Sequence, residues 1–436
     1  SLLGAMEQGL IVTNIETVNT KKSEYFPVLS IDGTLMYFTF AEGKKGGEDI
    51  YFSQLIADTW IKPKNLGSPF STNENDAINS VSADGNTLVL FGSYKGSIGG
   101  GDNFYVQKTQ DGWSQINPFP KPLNTQYWEC DGFLTADGKA FFFTSERPGG
   151  VGDFIKGGQF YHGEYEGNTD IYVSVKNDSV WGKPINIGTM VNTPYAERSP
   201  FLHPDGKTLY FSSDGHYGLG SLDVFKTVRL SDTSWLDWSE PVNLGKEINT
   251  SGYDVAYKIS TDGKYAYFSS DREGGKGGYD IYRVTLPKEA MPEKNVLTVK
   301  GRVTDENSKP LDAKLLWYNL SANTNAGSLT SDPESGSYII TLPNGANYSY
   351  FAERTGYYSV SNNIDLTGQN EFSELTVDIV MQSIQSLQNT SIVLNNIYFD
   401  FDKSDLQQGS FVELDRVVKF LNDNPNVKIE ISAHTD

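Results

Sequence analysis

The sequence predicts a mainly β protein built around a β-propeller, and three recurring features predict it. Asp-Gly recurs at Asp32-Gly33, Asp84-Gly85, Asp137-Gly138, Asp205-Gly206 and Asp262-Gly263, between 52 and 68 residues apart. Each pair leads into a strand-like run: TLMYFTF, TLVLFGS, KAFFFTS, KTLYFSS and KYAYFSS. Asp-Gly between alternating apolar residues predicts a two-residue type I′ hairpin. A second signature follows each run: GGEDIY, GGDNFY, GNTDIY, GSLDVF and GGYDIY, ending at Tyr51, Tyr105, Tyr172, Phe225 and Tyr282. The third feature is a Trp (Trp60, Trp113, Trp181, Trp235) and then a stretch such as Ile185–Gly188 or Val242–Gly245.

Four short strands in a unit of about fifty residues is the composition of a propeller blade. One such unit has open edges and little core, so several must pack radially. The fifth copy ends at Leu286 without its last element. The stretch Leu10–Thr20 closes on Val18-Asn19-Thr20, matching Val191-Asn192-Thr193 and Ile248-Asn249-Thr250. The start of the chain is therefore expected to supply the outer strand of the last blade and join the ends of the ring.

The third copy carries an extra segment, Arg147–Asn168, rich in glycine and aromatics. Loops on rigid scaffolds often carry contacts, which makes Phe154, Phe160, Tyr161 and Tyr165 candidate partner residues. The plainer reading is a long loop packed on its own blade.

Composition narrows the function. A net charge of −20 opposes binding to nucleic acid and to anionic lipid. The single cysteine, Cys130, rules out an intramolecular disulfide and cysteine-based structural zinc. No apolar run approaches the roughly twenty residues of a membrane-spanning helix. The sequence starts without Met and stops in mid-pattern at Asp436, so it reads as a fragment without its targeting signals.

The chain also lacks the common catalytic motifs. No serine sits in a G-x-S-x-G elbow, no phosphate loop occurs, and no loop has EF-hand spacing. His162, His203, His216 and His434 are scattered, and no cofactor is expected. Ser82–Thr87 has the look of a sialidase-type box but is the repeat's own turn.

The units resemble the WD40-like PD40 repeats of TolB-type propellers over residues 10–286. That resemblance allows six blades as the alternative to five. Residues 287–294 read as a linker. Val299-x-Gly301-x-Val303-x-Asp305, Gly336-x-Tyr338 and Gly356-Tyr357 then resemble the carboxypeptidase regulatory-like fold over 295–382, implying a seven-stranded transthyretin-like β-sandwich. Tyr338 and Ile340 are expected on one buried face.

After a linker at 383–391, Asn396–Asp402 alternates as a strand. Ser410 and Glu413 form a capping box before a helix with Phe411, Leu414, Val417, Val418 and Leu421 on its apolar face. Val427–Ile431 is a second strand leading to His434-Thr435-Asp436. FDFDKSDL and the terminal HTD make 392–436 resemble the first half of the α/β OmpA-like domain. In that family, the residues corresponding to Asp436, Phe401 and Asp402 face diaminopimelate of the peptidoglycan stem peptide. The partner arginine would lie beyond the end of this chain.

The domain order, with residues 1–9 as remnant of a preceding region, resembles the PorE-type proteins of the type IX secretion system. It implies a non-enzymatic periplasmic scaffold, associated with the outer membrane and tethering a protein assembly to peptidoglycan. The alternatives are an OmpA-family anchor of another envelope complex, such as glycan uptake, and a wall-anchored propeller glycoside-active enzyme. A deep acidic centre with two carboxylates would favour the enzyme, and a plugged centre the scaffold.

Overall fold

The computed structural model describes residues 10–43, 47–157, 161–163, 167–387, 391–400 and 402–432. The chain divides into two compact units. The first runs to Lys300 and takes in Ile339–Asn344 and Asn370–Thr376; the second holds Gly301–Tyr338, Gly345–Gln369 and the residues from Val377.

Five antiparallel sheets make up most of the first unit. Their first strands are Ser23–Leu29, Asp76–Val81, Glu129–Leu134, Glu197–Leu202 and Asp254–Ile259. Each first strand neighbours the next and the fifth neighbours the first, so the sheets form a ring. The fifth sheet takes its outer strand from the start of the chain: Val12–Asn14 pairs with Asp280–Thr285, Val12 opposite Val284. Every first strand carries a register slip, between Tyr25 and Val28 in the first sheet and between Val255 and Lys258 in the fifth. Such bulges twist the strand and re-aim its side chains. Here they set which side chains reach the ring axis.

One clasp joins the sheets. A Thr donates its N–H and hydroxyl to an acid four residues on, at Thr20–Glu24, Thr72–Asp76, Thr125–Glu129, Thr193–Glu197 and Thr250–Asp254. In four copies the preceding Asn reaches back to the sheet before. Asn124, Asn192 and Asn249 each bond both backbone groups of Asn103, Ile171 and Val224. Asn19 does the same to Ile281, accepting at 2.9 Å and donating at 2.8 Å, and so closes the ring. Ser71 replaces Asn at the remaining joint and donates to Asn65 instead.

The Asp-Gly turns differ from the expected type I′. Only the glycines have positive φ, from 66° to 73°, while the aspartates do not. Gly33 N–H bonds the Ser30 carbonyl, and Asp32 Oδ1 accepts the Thr34 N–H. The result is a longer connection around a type I turn, stabilised by the Asp side chain rather than by two left-handed residues.

Residues 287–294, expected as a linker, are strapped to the fourth sheet. Ala290 is fully buried. Its carbonyl accepts the Tyr210 hydroxyl, and Lys226 Nζ donates to the carbonyls of Glu289 and Met291.

Beyond the strap, Val296–Asp305 pairs with Ser337–Pro343 and, in parallel, with Ser373–Thr376 and Ile379–Met381. A second sheet in the order Thr324–Thr330, Lys314–Asn319, Asn347–Glu353, Val360–Asp365 is antiparallel. Two four-stranded sheets make one strand more than the seven expected. Tyr338, Ile340 and Leu342 are all buried, as a period of two requires.

The C-terminal helix runs Gln408–Asp423 from a Gln407 cap, three residues earlier than Ser410 as cap implied. Ser410 is buried inside it, its hydroxyl accepting the Tyr398 N–H and donating to the Tyr398 carbonyl. The buried side chains of the helix are Ser410, Glu413 and Arg416, whereas Phe411 and Val418 of the expected apolar face are exposed. Arg416 pairs with Glu413 and donates to the Ser359 carbonyl. Neither Asn396–Asp402 nor Val427–Ile431 forms a strand among the described residues. Lacking a neighbouring strand, Ile429 and Ile431 stay exposed.

Two expectations follow from the clasps. Asn19→Ala leaves the Ile281 N–H unpaired, while its carbonyl keeps the Ile15 N–H, and should cost about 1–3 kcal/mol. Hydrogen exchange should lose protection at Ile281 and Val12–Asn14, while the second unit keeps its own. Burial pushes the Glu197 carboxyl up to about 8, against hydrogen bonds from Ser213 and Thr193. The folded state thus holds this proton longer than the unfolded chain, whose carboxyl titrates near the usual 4.5. Stability should fall as pH rises from about 4.5 to about 8. Thermal melts across that window should show a shallower fall for Glu197→Gln than for the parent.

Candidate functional site

The residues suggested by sequence do not gather into one site. Phe401 and Asp436 lie outside the described residues, as do Phe160 and Tyr165. Asp402 is exposed, with φ of 56°. Phe154 is exposed, its ring edge against Tyr127 at 5.6 Å. Tyr161 accepts the Trp128 indole N–H on its carbonyl at 3.3 Å.

That contact belongs to a densely hydrogen-bonded polar cluster in the ring. His162, inside the third copy's extra segment, is fully buried. Its N–H and that of Gly163 donate to the Glu48 carboxylate at 2.8 and 2.9 Å. Glu48 also accepts the Tyr25 hydroxyl at 2.5 Å. From the other side, Arg198 donates to the carbonyls of His162 and Gly163 at 3.0 and 3.2 Å. Arg198 in turn forms a two-pronged pair with Asp131, at 2.7 and 3.1 Å. His162 Nε2 lies 3.0 Å from Asn79 Oδ1 and 3.2 Å from Asp131 Oδ1. Burial alone would raise the Asp131 carboxyl, but the Arg198 charge and the His162 contact hold it well below the usual range. Glu48 comes from the first sheet, Asn79 from the second, Asp131 from the third and Arg198 from the fourth. Residues 161–163 of the extra segment therefore act as a plug, latched by four sheets at the ring axis.

Cys130, Asp131 and His162 could be read as a metal-ligand set, since their donor atoms lie within 4.8 Å of one another. The chemistry fits a cation poorly. Arg198 already occupies the Asp131 carboxylate, and burial raises the Cys130 thiol well above its ordinary value, keeping it protonated.

Farther along the axis, one register position recurs in all five first strands, opposite the centre of the second strand. Its occupants are Val28, Ser80, Phe133, Phe201 and Lys258, facing Tyr37, Val89, Phe142, Tyr210 and Tyr267. They bound a cavity of about 90 Å³ whose half-buried rim includes Ser30, Ser82, Ala136, Pro204 and Ser260. The lining contains no carboxylate among the described residues; its titratable groups are Lys258 and His203.

Sequence reasoning missed Glu48, Asp131, Arg198, His162 and Lys258. A signal existed: aligning the five copies on the clasp acid puts charged residues into strand positions that are neutral in the other copies.

No family model matches the sequence, and no curated protein matches it. Among solved structures the chain is similar to TolB from Acinetobacter baumannii. The identity is 16% and the TM-score 0.38, over 62% of this chain and 56% of that one. A thermostable family-43 glycoside hydrolase gives 14% identity and a TM-score of 0.39, over 62% of this chain and 92% of that chain. A 3-chlorocatechol 1,2-dioxygenase from Rhodococcus opacus 1CP gives 13% and 0.17, over 22% of this chain and 62% of that chain. The chain thus spans just over half the length, 56%, of the TolB structure it matches. It is a mainly β protein.

Arg198→Met leaves Asp131 as an uncompensated buried charge and should destabilise the first unit by about 3–5 kcal/mol. The double change Asp131→Asn/Arg198→Met should recover at least half of that loss. Denaturant unfolding of the two variants beside the parent makes the comparison.

Proposed function

We propose that the chain is a non-enzymatic envelope scaffold whose five sheets are the blades of one PD40-type propeller. On this reading, residues 295–382 are a carboxypeptidase regulatory-like module and residues 392–436 belong to an OmpA-like domain. The OmpA-like part holds diaminopimelate in the peptidoglycan stem peptide through Asp436, with Phe401 and Asp402 beside it. The remaining modules present surfaces to a periplasmic or outer-membrane assembly of the type IX secretion kind.

The observation that carries the scaffold reading is the plug that seals one half of the axis. A propeller enzyme needs its reacting groups around an accessible centre, whereas here the plug takes up the polar groups of four sheets. Glu48 and Asp131, the two carboxylates of that cluster, are both committed to partners within the protein. The cavity beyond them offers no carboxylate pair for glycoside hydrolysis.

Tethering chemistry is that of a zwitterion. Its ammonium group needs a carboxylate, the role given to Asp436, and its carboxylate needs a cation. Calorimetric titration of the full-length protein with diaminopimelate-containing stem peptide tests this. Saturable binding should appear and weaken at least tenfold in Asp436→Ala. Absence of binding by the parent protein would overturn the tethering role.

A further inference from the structure

Lys258 occupies the axial position that is Val, Ser, Phe and Phe in the other four sheets. It is 8% exposed. Among the described residues it has neither a hydrogen bond nor an ion pair. Its ammonium lies 5.3 Å from the Phe133 ring centre and 5.0 Å from that of Phe201. Ring faces stabilise a cation, but they do not replace the counter-charge and hydrogen bonds it had in water. An ammonium on the wall of a small, largely apolar cavity is half of an ion pair.

We propose that this cavity is a binding site for a carboxylate carried on a short apolar body, with Lys258 as its counter-charge. One cation suits a single negative charge, whereas a phosphate ester would call for further donors, and the lining hydroxyls of Ser30, Ser80, Ser82, Ser260 and Thr261 already donate within the protein. Val28, Phe133, Phe201 and Ile259 would cover the apolar part. The volume, about 90 Å³, suits an acid of a few carbons rather than a nucleotide or a sugar chain. The acid's source is either a free short-chain acid or the C-terminus of a peptide ending in a small apolar residue. This site is separate from the wall-binding residues, so either reading stands without the other.

Titration of the full chain with isobutyrate, its neutral isostere isobutyramide, and acetyl-alanyl-valine separates the outcomes. At pH 7 at least one acid should bind saturably. For that acid, Lys258→Met, checked for an intact melting transition, should lose at least tenfold. If the acid is isobutyrate, isobutyramide should bind at least tenfold more weakly. Tighter binding of the dipeptide assigns the site to a peptide terminus, and tighter binding of isobutyrate to a free acid.

A second measurement does not depend on the variant. Burial lowers the Lys258 ammonium to about 8, with the Asp131 charge opposing the shift. A bound carboxylate favours the charged amine, so binding at pH 8.5 should take up a fraction of a proton. Calorimetry in two buffers of different ionisation heat reads that uptake. The other charged or titratable groups around Lys258 are Asp131, held ionised by Arg198 and acting by its charge from outside the lining, and His203 in the lining, 3.5 Å from Asp205. The first and second sheets contribute no titratable lining residue. Binding by neither acid, an amide that binds as tightly as the acid, or binding without proton uptake would overturn the proposal.

Discussion

The ring depends on one small interaction repeated around it, the hydrogen bonds of an Asn-Thr pair to the sheets on either side. A β-sheet has no intrinsic reason to stop beside another at a fixed angle, and hydrophobic contact is non-directional. The Asn amide supplies direction. It satisfies one residue's N–H and C=O in the third strand of one sheet, while the next residue, Thr, holds the buried acid opening the following sheet. Because buried backbone groups must be paired, the joint is specific as well as adhesive. The acids are costly to bury, and Glu129 and Glu197 are raised to about 7 and about 8 by desolvation. Their hydrogen bonds keep that cost tolerable.

The clasps order the periphery and leave the axis free to vary. Four joints share the same Asn-Thr chemistry, yet the five bulged strands send different residues inward: Asn79 and Asp131 at one level, Phe133, Phe201 and Lys258 at another. One half of the axis is therefore ionic and sealed, the other largely apolar and hollow. Nearby groups of the same ring meet opposite fates. Arg198 has Asp131 and two carbonyls, whereas Lys258 has only aromatic faces.

Much of this was legible in the residues. Alternation, Asp-Gly punctuation and the G-x-D-I-Y run located the strands, and Val18-Asn19-Thr20 identified the joint between the ends. The turn type was not legible, because Asp-Gly serves both a type I′ hairpin and a type I turn with a left-handed glycine. In the helix at Gln408–Asp423 the capping pattern misled, since Ser410 and Glu413 are engaged with Tyr398 and Arg416 instead. The axial site was invisible for a different reason. Its members are 114 residues apart in the case of Glu48 and His162, and no local pattern encodes a contact over that separation. Only comparison of the copies, position by position, would have marked them.

Closure by the first strand has a consequence for biogenesis. Asn19 and Ile281 are separated by 262 residues, so the segment Val12–Asn14 has no partner until the fifth sheet has been made. At synthesis rates of about 5–20 residues per second that is an interval of some tens of seconds. Throughout it, both the early segment and the open side of the first sheet present unpaired backbone edges. The growing ring is thus an open arc until its last strand, and any holdase acting on it would find its binding surface at the beginning of the chain.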